Sequence, residues 1–103
     1  IHYSTDYVFD GTHNVPHSED DPTSPLNVYG QSKLQGELNL INSGASYVIL
    51  RVSWIYGLYG NNFVKTMIRL GHEKDQLKVV DDQIGSPTWS SNIAMVTSQI
   101  LQD

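Results

Sequence analysis

The sequence predicts an α/β fold built on a parallel sheet, and three stretches predict it. Ile1–Ser4 has the composition of a strand's end. Val28–Ile41 carries apolar residues at helical spacing. Tyr47–Val52 is nearly continuous apolar and β-branched, the pattern of a strand covered on both faces. A helix between two strands acts as a crossover, so the strands are expected to be parallel.

Taken in order, Ile1–Ser4 runs into Thr5 and Asp6, which fall at the strand's carboxyl end. In open α/β sheets that end is where ligands bind. Thr12–Leu26 reads as a loop, because Pro16, Pro22 and Pro25 and the polar residues leave no apolar period. His13 and His17, with Glu19, Asp20 and Asp21, invite a metal reading. Their spacing matches no ligand pattern, so a solvated acidic loop without metal is expected.

Asn27 is placed to cap the first helix, with Val28, Leu34, Leu38 and Ile41 as its apolar stripe. Asn42-Ser43-Gly44 supplies a stop, with Gly44 suited to a left-handed cap. After Tyr47–Val52, the stretch Ser53-Trp54-Ile55-Tyr56-Gly57 leaves the strand's carboxyl end. Asn61 or Asn62 can cap a helix over Phe63–Leu70, ended by Gly71. Leu77–Val80 reads as a short strand and Asp81–Thr88 as a turn-rich loop. A last helix over Ser90–Leu101 is expected to bury Ile93, Val96 and Ile100. There is no internal repeat, low-complexity tract or interdomain linker.

Composition narrows the function classes. The net charge is −5, and the six Lys and Arg residues are scattered. A nucleic-acid surface needs a basic patch, so nucleic acid is not an expected partner. No apolar run reaches the roughly 20 residues of a membrane span, so no membrane partner is expected. There is no basic, apolar start of signal-peptide type. Cysteine is absent, which removes disulfides and thiolate metal sites and fits a cytoplasmic protein.

Chemistry concentrates in Val28–Glu37. Tyr29 and Lys33 stand four residues apart, on one face of the expected helix. A lysine charge near a phenol stabilises the phenolate, and a tyrosine tuned in that way delivers a proton near neutral pH. An exposed lysine and a half-buried tyrosine on an ordinary surface helix have the same spacing, so the surroundings decide.

Those surroundings carry a pattern. Ser4–Gly11 reads S-T-D-Y-V-F-D-G, Tyr29–Glu37 reads Y-G-Q-S-K-L-Q-G-E, and Arg51–Gly57 reads R-V-S-W-I-Y-G. Asn62–Val64 reads N-F-V and Asp82–Thr88 reads D-Q-I-G-S-P-T. In this order and spacing they resemble the dTDP-4-dehydrorhamnose reductases, extended short-chain dehydrogenase/reductases. The resemblance covers nearly the whole chain.

The resemblance implies part of a Rossmann-like, doubly wound parallel sheet, its C-terminal half. It implies a single partial NAD(P)-binding domain over residues 1–103, with residues 61–103 contributing to the substrate side. It implies reduction of a nucleotide-linked 4-keto sugar by NADPH or NADH, in nucleotide-sugar biosynthesis. Thr5 would hydrogen-bond the keto oxygen, and Tyr29 would protonate it. Lys33 would lower the tyrosine pKa and hold the nicotinamide ribose. Asp6, Tyr7 and Trp54 would line the sugar pocket. A related reductase or epimerase of other specificity, or a non-catalytic relative, stays open, as does a homodimer.

The family's G-x-x-G-x-x-G loop, which holds the cofactor pyrophosphate at a helix N-terminus, has no counterpart here. The chain is therefore expected to be a central-to-C-terminal portion of such a reductase. Alone it is expected to be inactive, with exposed sheet edges that make it marginally stable or prone to associate.

Overall fold

His2–Thr5 and Ile49–Val52 are the two clearest strands of the computed structural model, which describes all 103 residues. These strands, β1 and β2, pair in parallel with His2 opposite Ile49 and Thr5 opposite Val52. The crossover between them is helix α1, Val28–Asn42. The expected α/β, Rossmann-like arrangement of parallel strands joined by a helix is what forms. The chain divides into two compact units, Ile1–Val52 and Ser53–Asp103.

In the first unit, β1 passes into a single 3₁₀ turn, Asp6–Val8. Thr5 caps that turn, its hydroxyl oxygen accepting from the Tyr7 N–H at 3.2 Å. Asn27 caps α1, its side-chain oxygen accepting from the Gly30 N–H at 2.7 Å. Each cap satisfies a backbone donor that the first helical turn leaves unpaired. Gly44 takes a left-handed φ of 72°, just past the end of α1.

The buried face of α1 is not the expected apolar stripe. Gly30 and Glu37 are buried, while Val28, Leu38 and Ile41 are exposed. The reason is close approach. A Cβ at position 30 would overlap the Tyr7 carbonyl oxygen and come within 3.0 Å of Pro25 Cβ. At position 36 it would lie 3.3 Å from Nε2 of His2. Glycine lets the helix sit against backbone, so hydrophobicity alone points to the wrong face. The strand Tyr47–Val52 is also shorter than expected, starting at Ile49. Its residues are half-buried rather than covered on both sides, because β2 has β1 as its one strand neighbour here.

Gly30→Ala measures this contact. Alanine favours a helix interior over glycine by up to about 1 kcal/mol. Overpacking against fixed backbone costs about 1–3 kcal/mol. The clash is expected to win, with a lower urea midpoint at unchanged m-value. A midpoint that rises would show that α1 can move off the Tyr7 carbonyl freely.

In the second unit, Asn62 caps helix α2, Phe63–Glu73, its side chain accepting from the Lys65 N–H at 3.0 Å. Asn62 Nδ2 also donates to the Gly57 carbonyl at 2.9 Å, and Lys65 Nζ donates to those of Leu58 and Gly60. The helix does not stop at Gly71. It continues to Glu73, with the Lys74 N–H still bonded to the Leu70 carbonyl. An Arg69–Glu73 ion pair at 3.0 Å braces the last turn. Glycine's helix penalty is about 1 kcal/mol, small enough for such local bonds to offset.

Two further expectations fail. Leu77–Val80 forms no strand and lies exposed, because no second strand in this chain pairs with it. Instead Ile55–Tyr56 (β3) and Thr88–Trp89 (β4) pair in parallel, where no strand was expected. Helix α3 covers Ser90–Gln102 as expected, yet none of its residues is buried: Ile93 and Ile100 are half-buried and Val96 is exposed. No helix is long and apolar enough to cross a membrane.

Candidate active site

Thr5, Asp6, Tyr7 and Tyr29 form one connected cluster at the carboxyl end of β1. The Thr5 hydroxyl donates to Asp6 Oδ1 at 3.1 Å while accepting from the Tyr7 N–H. The Tyr7 ring then meets the Tyr29 ring edge-on, with centroids 5.8 Å apart and planes at 79°. That T-shaped contact is a favoured aromatic geometry. Thr5 is buried, whereas Tyr7 and Tyr29 are each about half exposed. The cluster therefore has a fixed floor and an open aromatic rim. Gly30, next to Tyr29, is what brings the start of α1 against the turn that carries Tyr7.

Lys33 takes a position the sequence did not indicate. Its Nζ donates to the Tyr3 carbonyl at 2.6 Å, tying α1 to β1. An ammonium has three N–H donors. One is used on the strand, which fixes the head group and leaves two for other acceptors.

Beneath this face lies an ion pair. Glu37 is 1% exposed and receives two bonds from Arg51, Nε to Oε1 at 3.0 Å and the terminal nitrogen to Oε2 at 2.7 Å. Burial pushes the Glu37 carboxyl up, but the Arg51 hydrogen bonds and charge, together with the nearby Ser4 hydroxyl, outweigh it and hold it below its usual range. The same bonds raise Arg51 further above its already high value.

Trp54 belongs to the second unit. It has a left-handed φ of 45°, which costs a bulky residue about 1–3 kcal/mol. Its carbonyl accepts from the Thr88 N–H at 3.1 Å, and its ring lies on Gly85. A Cβ at position 85 would stand 2.7 Å from Trp54 Cε2 and 3.0 Å from Nε1. The Ser53 hydroxyl donates to the Ser86 carbonyl at 2.9 Å, closing the same loop. The D-Q-I-G-S-P-T stretch is thus the bed of the indole. Gly85→Ala is expected to displace that ring. In a Trp89→Phe background, Trp54 emission should move to longer wavelength as the indole gains water, and unchanged emission would show that the bed yields.

A family model described as the RmlD substrate binding domain matches residues 1–103. The chain belongs to that family. The dTDP-4-dehydrorhamnose reductase of Burkholderia thailandensis is 48% identical over 101 residues, covering 98% of this chain and 34% of that protein. The crystal structure of a dTDP-4-dehydrorhamnose reductase from Clostridium acetobutylicum superposes with a TM-score of 0.93 at 46% identity. It is covered at 98% of this chain and 36% of its own. The corresponding structure from Bacillus anthracis, in complex with NADP, gives the same TM-score, identity and coverage. The chain spans about a third of the length of the relatives it matches.

Within this RmlD-type chain, sequence reasoning missed Gly30, Glu37, Arg51 and Gly85 as positioning residues. Each lay inside a motif already singled out. The available signal was chemical: a glutamate at a core-facing helix position and an arginine in an apolar strand imply each other, since neither charge is buried alone.

Proposed function

We propose that the whole protein reduces dTDP-4-dehydrorhamnose to dTDP-L-rhamnose with NAD(P)H. The observation that carries this reading is the Thr5–Tyr7–Tyr29 cluster, which gathers a hydroxyl and a phenol at a strand's carboxyl end in a chain so similar to the named reductases. NADPH is the favoured reductant, since a relative's structure is a complex with NADP.

When bound, the nicotinamide supplies the hydride for C4 of the sugar. Hydride addition builds negative charge on the ketone oxygen. Tyr29 gives that oxygen its phenolic proton, so ketone, hydride and proton become the alcohol. The Thr5 hydroxyl turns its hydrogen from Asp6 to the same oxygen and stabilises the developing charge. Lys33, held on the Tyr3 carbonyl, has two N–H donors left, which suit the two hydroxyls of the nicotinamide ribose. Asp6, Tyr7 and Trp54 contact the sugar, and residues 61–103 contribute to the sugar-binding side. The pyrophosphate is held outside residues 1–103, which contain no G-x-x-G-x-x-G loop.

The test is to incubate the whole protein with dTDP-4-dehydrorhamnose and NADPH. One NADPH oxidised per dTDP-L-rhamnose formed is expected. Solvent hydrogen exchange into the sugar without cofactor oxidation would identify an epimerase. Tight sugar-nucleotide binding with no reaction would identify a non-catalytic relative. Either result overturns the proposal.

A further inference from the structure

The loop between the 3₁₀ turn and α1 brings together three groups that the proposed reduction does not use. His17 Nδ1 lies 2.8 Å from Asp21 Oδ2, and His13 Nδ1 lies 4.0 Å from the same oxygen. The ligand-capable atoms of the three residues all fall within 4.8 Å of one another. We propose that His13, His17 and Asp21 bind a divalent transition metal of the zinc type, clipping this loop into one conformation.

The donor set suits that chemistry. Two imidazoles favour zinc and its neighbours over magnesium or calcium, and zinc also accepts a carboxylate oxygen as a third ligand. Zinc bonds nitrogen and carboxylate oxygen at about 2.0–2.2 Å, which puts ligand atoms of a tetrahedral site about 3.3 Å apart. His17 and Asp21 are already closer than that, so the metal would take the place of the proton they share. His13 has to close by about an ångström, and its side chain is half exposed and able to do so. Three protein ligands leave a fourth position for water.

The ligands are also held from behind, as metal ligands are. Asp21 accepts from the Ser18 hydroxyl at 2.7 Å and from the Ser18 N–H at 3.2 Å, which fixes its carboxylate. These bonds, with His17, keep that carboxyl ionised below its usual range. The His17 ring stacks on Phe9 with centroids 3.9 Å apart, and the His13 ring stacks on His17 at 5.1 Å. Phe9 is in turn held by the Arg51 guanidinium, 5.2 Å from its centroid. Asp10, lowered chiefly by the Thr12 N–H, adds a nearby negative charge that favours a cation. Sequence spacing hid the cluster, because a stacked pair of rings and a turn closed by the Asp21 N–H on the Ser18 carbonyl, rather than a helix, bring the ligands together.

The experiment is zinc binding to the tag-free whole protein, by equilibrium dialysis against a chromophoric zinc chelator. One zinc per chain is expected at pH 7.5. His17→Ala and Asp21→Asn should each weaken it by at least about tenfold. His72→Gln, which removes an exposed histidine outside the cluster, should leave it unchanged. Circular dichroism of each variant should match the parent, since the loop is exposed. No zinc bound, or zinc held equally by His17→Ala and Asp21→Asn, overturns the proposal.

Discussion

Tyr29→Phe is expected to lower kcat by about 10²–10⁴-fold, the usual contribution of a general acid. KM for the nucleotide sugar should change little, so kcat and kcat/KM fall together. That pattern identifies an interaction made in the transition state rather than in the ground state. The substitution is clean for a structural reason. The Tyr29 ring supports Tyr7 through an edge contact, which phenylalanine retains. The Gly30 approach to the Tyr7 carbonyl is backbone geometry and does not depend on the phenol. Stability should therefore stay within about 0.5 kcal/mol of the parent, as for most changes that disturb no packing. Near-normal kcat in this variant would remove the assigned acid and, with it, the mechanism.

Lys33→Met separates two roles that the same residue combines. The Nζ bond to the Tyr3 carbonyl is structural. The remaining donors are assigned to the ribose. Loss of turnover together with weaker NADPH binding is expected, and weakened sugar binding alone would contradict the assignment.

The legible part of the fold was what local chemistry dictates. Asn27 and Asn62 cap helices where the sequence placed caps, and β1, α1 and β2 form the expected parallel crossover. Thr5 and Asp6 stand at a strand's carboxyl end, as read from the first few residues. What was not legible depended on partners distant in sequence. Ile55–Tyr56 is a strand because Thr88–Trp89 lies beside it, and neither two-residue segment carries a period. Leu77–Val80 has strand composition and no strand beside it here. The glycines of α1 bury backbone, which a hydrophobic period cannot register. For the candidate site, Thr5 and Tyr29 were picked out by the motifs that hold them, S-T-D-Y-V-F-D-G and Y-G-Q-S-K-L-Q-G-E, and not by spacing alone. Lys33's bond to the Tyr3 carbonyl was not, since a side chain thirty residues on chooses it by geometry alone.

Arg51→Met is expected to be the most destabilising single change in the first unit. Arg51 is the only cation bonded to Glu37, which is 1% exposed. Removing one member of a buried pair costs about 3–5 kcal/mol, because the other charge is left without compensation. Glu37→Gln should cost less, since an amide loses less by burial than an unpaired carboxylate. The double change Glu37→Met with Arg51→Met should recover much of the loss, as replacing a whole pair by apolar side chains is often neutral. The pH profile gives an independent sign. Paired Glu37 has a carboxyl lowered in the folded state, so the unfolded chain binds the extra proton. Its stabilising contribution is present above the unfolded carboxylate value of about 4.3 and is lost as pH falls below that toward the folded value. In Arg51→Met the main lowering influence is gone, so burial, the first-ranked effect on this carboxyl, dominates and makes protonation of Glu37 more favourable to the folded state. The gap between parent and variant, measured by urea unfolding, should therefore narrow on acidification. A gap that is constant from neutral pH down to the carboxylate range would mean that lost packing, and not a stranded charge, accounts for the cost.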